Sequence, residues 1–292
     1  MPKIAKVCLS CALALNAIAA LGAQWDTVDQ ALGRKGTPQP GGISKYGFPR
    51  TDLTVTVDGI QLKGPLALGT WIAFAPMGSQ AQVMGDLVLT DTELNPVMKR
   101  LIDQGFEISA IHNHLIRTSV PVLYMHISGH GDPAKLADTL HGALALTGTP
   151  LSAPASAPTS APIDMDIAAI DQTLGGKGSS NGGVYQFSIP RREQITDAGM
   201  VVPPSMGTAI AINFQPTGSG KAVVTGDFVL LGTEVNPVLR ALRAHGIEVT
   251  ALHSHMIEET PRLYFMHFWG NAEAKQLAQG LRAALDLTQV AR

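Results

Sequence analysis

The sequence is poor in cysteine, in charge and in long apolar runs. Only Cys8 and Cys11 occur among the 292 residues, and both lie near the N-terminus. The chain that follows them has no thiol, so we expect a metal site there to use His, Asp, Glu or backbone oxygen. No window offers the roughly 18 apolar residues of a membrane-spanning helix. A formal net charge of −2 provides no case for binding nucleic acid or an anionic membrane surface.

The N-terminus is typical of a secretory signal peptide. Lys3 and Lys6 precede the apolar stretch VCLSCALALNAIAALGA, and the small residues Gly22 and Ala23 offer a cleavage point. Neither cysteine lies in a convincing lipobox. We therefore predict a signal peptide over residues 1–23 and a periplasmic or secreted protein without a lipid anchor.

The rest of the chain is a tandem duplication. The phrase GDLVLTDTELNPV returns later as GDFVLLGTEVNPV. From residue 85 to 147 the two copies align without a gap at an offset of 141, with 26 identities in 63 positions. A stretch rich in Ala, Pro and Ser separates them and is typical of an extended linker. We therefore predict repeat domains over residues 24–147 and 166–292, joined by a linker over residues 148–165.

Each copy has the pattern of an α+β fold. A helix over residues 96–104 is marked by Asn95 as N-cap, Pro96 as first residue and Gly105 beyond its end, and the second copy has the same three residues. The late part of each copy then has the order β-α-β-β-α. This order predicts an antiparallel or mixed sheet with helices on one face, and we expect the two repeats to pack together. The earlier strands expected in the first copy are LTVTVDG, TWIAFAP and QVMGDLVL.

Six of the nine histidines are matched between the copies. They are His112 and His253, His114 and His255, and His126 and His267. More than half of the other aligned positions have changed. A shared structural or functional requirement would keep this pattern, and common ancestry alone could also leave some of it.

The spacing of each triplet predicts convergence on one face of a β-hairpin. Residues i and i+2 of a strand point to the same face, so His112 and His114 are neighbours. If the hairpin centres on residue 119 or 120, His126 lies opposite one of them, whereas a one-residue slip sends it to the other face. Three converging imidazoles are typical of a catalytic zinc site. We predict a divalent metal, zinc by preference, at one or both triplets; the alternative is a hydrogen-bonded polar core.

A carboxylate could complete such a site. The matched acids nearest the histidine strands are Asp86 and Asp227, and Glu93 and Glu234. We favour Glu93 and Glu234 as ligands or general bases, although an acid before a helix is also stabilised by the helix dipole.

An ordered set of motifs occurs in both copies. GDLVLTDTELNPV, AIHNHLI and YMHISG are followed in the second copy by GDFVLLGTEVNPV, ALHSHMI and RLYFMHFWG. These motifs resemble the LppY/LpqO family of exported bacterial proteins, over about residues 28 to 288. The resemblance implies export and a duplicated domain, and it implies no particular activity.

These features favour an exported protein that binds a divalent metal. If the metal activates water or polarises a carbonyl, the protein would be a hydrolase or lyase. The alternative is a non-catalytic module of the cell envelope whose histidines form a polar core or line a ligand cleft. In both cases the partner would be a small molecule or an envelope component that the residues do not identify. A bicupin metalloenzyme is incompatible with a helix over residues 96–104.

Overall fold

The first repeat is built on a six-stranded antiparallel sheet. The computed structural model describes residues 25–152 and 163–291. The predicted signal peptide and residues 153–162 of the predicted linker lie outside them. The strands of this repeat are β1 (Thr37–Gln39), β2 (Ile43–Pro49), β3 (Thr56–Val57), β4 (Ile60–Gln61), β5 (Gly69–Met77), β6 (Gln80–Thr90), β7 (Glu107–His112) and β8 (Val122–Gly131). The sheet has the order β1-β2-β5-β6-β8-β7, and β3 with β4 forms a separate small hairpin.

The second repeat has the same topology. Its strands are β9 (Ser179–Asn181), β10 (Val184–Pro190), β11 (Thr196–Asp197), β12 (Met200–Val201), β13 (Ala209–Gly218), β14 (Lys221–Leu231), β15 (Glu248–His253) and β16 (Leu263–Glu273). The six-stranded sheet has the order β9-β10-β13-β14-β16-β15, again antiparallel throughout, and β11 pairs with β12. The predicted α+β fold with two tandem repeats is confirmed.

Three longer helices accompany each sheet. The helices are α1 (residues 25–32), α2 (Gly64–Ala67), α3 (Asp91–Ile102), α4 (Pro133–Leu144), α5 (Ile167–Leu174), α6 (Gly232–Ala244) and α7 (Ala274–Leu285). Val83 and Leu87 of β6 lie in one apolar cluster with Val97 of α3 and Leu140 of α4. Because side chains alternate along a strand, Met84 and Asp86 of β6 point to the opposite face of the sheet.

The helix-free faces of the two sheets pack against each other. Met84 of the first repeat shares an apolar cluster with Met206 and Ile210 of the second. A further cluster joins Val88 to Trp269 across the same interface. The layers are therefore helices, sheet, sheet and helices, and the polar residues of the inner faces meet between the repeats.

The helix over residues 96–104 exists but begins earlier than predicted. It starts at Asp91, so Asn95 is not its N-cap and Pro96 lies inside it. The side chain of Glu93 accepts a hydrogen bond from the Thr90 N–H at 2.8 Å, which fixes the start of the first turn. The helix ends at Ile102, two residues before the predicted end, and Gly105 follows with the positive φ of 84° expected of a closing glycine. The presence of α3 excludes a bicupin.

Two features of the first sheet differ from the sequence-based expectation. The stretch LTVTVDG contributes only Thr56–Val57 to a small hairpin outside the sheet. The strand that pairs with β5 on the side away from β6 is instead Ile43–Pro49, which is not among the expected strands. Its match in the second repeat is Val184–Pro190.

Candidate metal centre

The histidines lie on and beside the last two strands of each sheet. His112 ends β7, His114 follows it in the connecting loop, and His126 lies on β8. In the ladder Ala110 is paired with His126 and His112 with Tyr124. These pairs centre the hairpin on residue 118, and not on 119 or 120 as predicted, and the connection spans residues 113–121. A shift of the centre by one or two whole residues leaves His112 and His126 on the same face of the sheet, where they are diagonal neighbours.

Each triplet converges as the spacing predicts. The ring centroid of His112 lies 5.0 Å from that of His114 and 5.0 Å from that of His126. The candidate ligand atoms of these three residues lie within 4.8 Å of one another. In the second repeat His253 lies 4.8 Å from His255 and 5.0 Å from His267, measured between centroids.

The two triplets form a single cluster. They meet across the interface between the repeats, and the rings contact each other in three pairs. The centroid distances are 3.6 Å for His112 and His253, 3.9 Å for His114 and His267, and 3.7 Å for His126 and His255. A candidate ligand atom of His112 also lies within 4.8 Å of a candidate ligand atom of each histidine in the second triplet. The sequence did not predict this contact between the triplets, because the pattern of one repeat does not indicate which faces of two sheets pack together.

Two aspartates lie beside the imidazoles. Asp86 is paired with His126 in the ladder, and Asp227 is paired with His267. A carboxylate oxygen of Asp86 lies 3.5 Å from Nε2 of His114, and one of Asp227 lies 3.6 Å from Nε2 of His255. Sequence reasoning considered these acids and preferred the glutamates. The strand register, which places Asp86 opposite His126, is the signal that would have reversed that preference.

Eight polar atoms of the cluster are buried and have no hydrogen-bond partner among the described residues. They are Nε2 of all six matched histidines and Oδ1 of Asp86 and Asp227. The opposite ring nitrogen is engaged in several cases: Nδ1 of His267 lies 2.9 Å from the Gly226 carbonyl, and Nδ1 of His253 lies 3.3 Å from the Ser254 carbonyl. A ring that donates from Nδ1 presents the lone pair of Nε2, which is the arrangement found around protein-bound metals.

Burial sets the charge state of these groups. It lowers the pKa of His112 to about 3 and that of His253 to about 4, and it holds the other four imidazoles well below their ordinary pKa. It raises the pKa of Asp86 to about 7, while burial and the nearby Asp86 raise that of Asp227. Neutral imidazoles with free lone pairs are the form that coordinates metal ions, and a bound cation would favour the ionised carboxylates.

The predicted catalytic glutamates are engaged elsewhere. Glu93 forms a two-point ion pair with the buried Arg50, at 2.7 and 3.0 Å, and also accepts from the Gly148 N–H. Glu234 is held in the same way by Arg191. Burial opposes ionisation of Glu93, but Arg50 and two backbone donors keep its pKa below the ordinary value. These contacts give both glutamates a bracing role, and their role as ligand or general base stays a prediction without a contact to support it.

A small pocket adjoins one end of the cluster. His126 and His255 line it together with Trp71 and three methionines, Met84, Met206 and Met256. The other end of the cluster, at His114 and His267, is covered by apolar side chains. His114 stacks on Tyr124 with centroids 3.3 Å apart, and Tyr124 belongs to the apolar cluster that contains Trp269. The pocket therefore adjoins the cluster at the end where the methionines lie.

Comparison with known proteins places the chain in a family. A family model described as a Domain of Unknown Function (DUF1259) matches residues 26–146 and again residues 168–287. The chain belongs to this family. It contains two tandem copies of the domain, as the duplication predicts. No curated protein matches the sequence.

Two solved structures are similar to this chain over most of its length. One is the trimeric bacterial microcompartment shell protein PduB, with 12% identity, a TM-score of 0.23, and coverage of 88% of this chain and 91% of that one. The other is EtuB from Clostridium kluyveri, with 10% identity, a TM-score of 0.21, and coverage of 87% and 89%. At these TM-scores the similarity carries no argument about fold or function.

A helix crosses a bilayer only if it is long and apolar enough. In the described part of the chain, none has both the length and the apolar character that crossing a membrane requires.

Proposed function

We propose that the chain binds divalent transition-metal ions at the six-histidine cluster between its repeats. The observation that carries the proposal is the convergence of six buried Nε2 atoms without hydrogen-bond partners, beside two equally unpartnered carboxylate oxygens. Leaving one buried polar atom unpaired costs on the order of 1–3 kcal/mol. Eight such atoms at one place are explained most simply by ligand positions.

The ligands divide into two sets, one for each repeat. His112, His114 and His126 lie beside Asp86, and the matching triplet lies beside Asp227. Three imidazoles and one carboxylate suit zinc and other borderline ions of the first transition row. We propose zinc as the divalent ion, with one ion for each set. A bound ion would supply Lewis-acid chemistry, so a hydrolase or lyase activity stays a proposal that follows from metal binding.

Metal analysis of the purified chain tests this proposal. After incubation with zinc and removal of free ion, we expect two zinc ions per chain by mass spectrometry, and a loss of both in the double variant His114→Ala, His255→Ala. The exposed His130→Ala is the matched control and should keep both ions. A single ion per chain would contradict the two-set arrangement. Zinc content that is negligible in the native chain, and the same in the variant, would contradict metal binding altogether.

A polar core is the second candidate function for these residues. The parallel contacts of imidazole with imidazole and of His114 with Tyr124 favour it, since stacked rings fill space without a metal. The chain would then be a non-catalytic binding or interaction module. The same two variants separate the candidates, because a polar core predicts lower stability and no change in metal content.

Export is part of the proposal. The signal peptide predicted over residues 1–23 and the resemblance to the LppY/LpqO family both support a periplasmic or secreted location. N-terminal sequencing of the protein recovered from the periplasm of an expressing bacterium should show a chain that begins near residue 24. Recovery of the intact N-terminus from the cytoplasm alone would contradict it.

A further inference from the structure

The histidine cluster has two ends that differ in chemistry. At one end His126 and His255 line a pocket with Met84, Met206 and Met256, which we call the methionine pocket. Met84 and Met256 have no methionine counterpart in the other repeat, since residues at the offset of 141 are Thr225 and Leu115. The three thioethers therefore gather at one end only, although the cluster itself is nearly symmetric.

The opposite end is filled with apolar side chains. Leu115, the counterpart of Met256, is buried in one cluster with Tyr124 and Trp269. Trp269 occupies the position that Ser128 has in the first repeat, and it is 3% exposed. The large indole of Trp269 thus fills one end of the cluster, whereas the small side chain of Ser128 leaves room at the end with the methionines. An ion that approaches from the pocket would meet thioether and imidazole ligands together.

Thioether sulfur and imidazole nitrogen differ in the ions that they prefer. Thioethers are soft ligands that suit Cu(I), whereas imidazole suits copper and zinc alike. The chain has no cysteine after residue 11, so methionine is the soft ligand available near the cluster. We infer that the methionine pocket is a binding subsite for a cuprous ion, completed by His126 and His255. This inference rests on the metal-binding function proposed above.

Competition titrations test the subsite. The full chain is titrated anaerobically with Cu(I) against a chromogenic Cu(I) chelator, and separately with Zn(II) against a zinc indicator. The variant Met84→Leu, Met206→Leu, Met256→Leu keeps side-chain volume. We expect its dissociation constant for Cu(I) to rise at least about tenfold, with zinc affinity unchanged, because only the soft ligands are lost.

A matched control uses buried methionines that face the helices. Met125 and Met266 are both fully buried on strands β8 and β16, one residue from His126 and His267, and point to the other side of each sheet. The double variant Met125→Leu, Met266→Leu should bind Cu(I) as the native chain does. Equal Cu(I) affinity in the native chain and the pocket variant would overturn the inference. So would a native chain that binds zinc and not Cu(I), and both results would leave the proposed function intact.

X-ray absorption at the copper edge provides a readout that does not depend on folding of the triple variant. With Cys8→Ser and Cys11→Ser introduced to remove thiols, the copper-loaded chain should show sulfur as well as nitrogen around the ion. A shell of nitrogen alone would overturn the methionine subsite. A chain that takes up neither Cu(I) nor Zn(II) would overturn the proposed function itself.

Discussion

The two repeats agree where the candidate ligands lie and differ in what surrounds them. The shortest distances from aspartate to histidine are 3.5 Å in the first repeat and 3.6 Å in the second, and the ion pairs of Arg50 and Arg191 with the glutamates both measure 2.7 Å. The neighbours of the cluster differ: Lys45 and Gln186, Met84 and Thr225, Tyr124 and Phe265, Ser128 and Trp269. Ligand geometry follows from a strand register that both hairpins share, whereas access and charge are set by residues that changed independently.

Lys45 shows how one difference makes the halves electrostatically unequal. Burial raises the pKa of Asp86 to about 7, and the nearby Lys45 acts in the opposite direction. The matching Gln186 is neutral and bonds to the Pro65 carbonyl. Burial and the nearby charge of Asp86 both hold the pKa of Asp227 well above its ordinary value. The carboxylate of the first set is therefore the easier one to ionise.

The largest effect should come from His112 and His253, the matched histidines whose rings contact each other. His112 lies within ligand distance of both triplets, whereas His253 belongs to the second set alone. We expect His112→Ala to weaken zinc binding at both sets and His253→Ala mainly at one, with a loss at the affected set on the order of 1,000-fold, or ~4 kcal/mol. Calorimetric titration of the two variants measures this difference. Identical isotherms would show that the two sets are equivalent after all.

A second comparison concerns the glycines that precede the two aspartates. A Cβ added to Gly226 would lie 1.9 Å from the backbone oxygen of Ala211, whereas one added to Gly85 would lie 2.9 Å from that of Trp71. Backbone cannot move aside as a side chain can, so Gly226→Ala should destabilise the fold by about 3 kcal/mol and Gly85→Ala by about 1–2 kcal/mol. Urea denaturation gives both values.

Gly47→Ala is the control for that pair, because nothing lies within 4 Å of a Cβ added there. It should change stability by less than about 0.5 kcal/mol. A larger loss for Gly85→Ala than for Gly226→Ala would mean that the second sheet relaxes more easily than its contacts indicate.

The spacing of residues was enough to predict part of this site. The parity of His112, His114 and His126 followed from the period-2 alternation of strand side chains, and it survived a hairpin centre that was displaced by one or two residues. The pairing of Asp86 with His126 did not follow, because it depends on the register between β6 and β8, which lie far apart in sequence. The contact between the two triplets depends on which faces of the sheets pack together, and the periodicity of the sequence does not predict that.

The helix start illustrates a misleading local signal. Asn95 and Pro96 imitate an N-cap and a first residue, yet they lie in the second turn of α3. The stretch Thr90 to Glu93 has the Thr-x-x-Glu pattern of a capping box, and Glu93 does bond to the Thr90 N–H. The second copy keeps the glutamate and has Leu231 in place of the threonine, so this signal is complete only in one repeat.

The two arginine–glutamate pairs are expected to matter for stability and not for metal. Glu234→Gln leaves the fully buried Arg191 with less compensating charge, and we expect a loss of about 2 kcal/mol in the free energy of unfolding. Glu93→Gln should cost slightly less, since its side chain is 13% exposed against 8% for Glu234. Zinc content should stay at the native level in both variants. A loss of zinc from correctly folded Glu93→Gln would instead support the predicted ligand role of the glutamates.

The smallest effect should come from an exposed contact that joins the repeats at one edge. Arg117 pairs with Asp58 of its own repeat and, at 2.8 Å, with Glu248 of the other. The matching residue in the second repeat is Glu258, which cannot form the same contact. Arg117 has a φ of 60°, so Arg117→Asn removes the charge with a residue that tolerates this backbone conformation. We expect a slightly lower melting temperature at low salt and no difference at high salt, because exposed ion pairs are screened. A large decrease that persists at high salt would mean that this edge contributes more to the contact between the repeats than its exposure indicates.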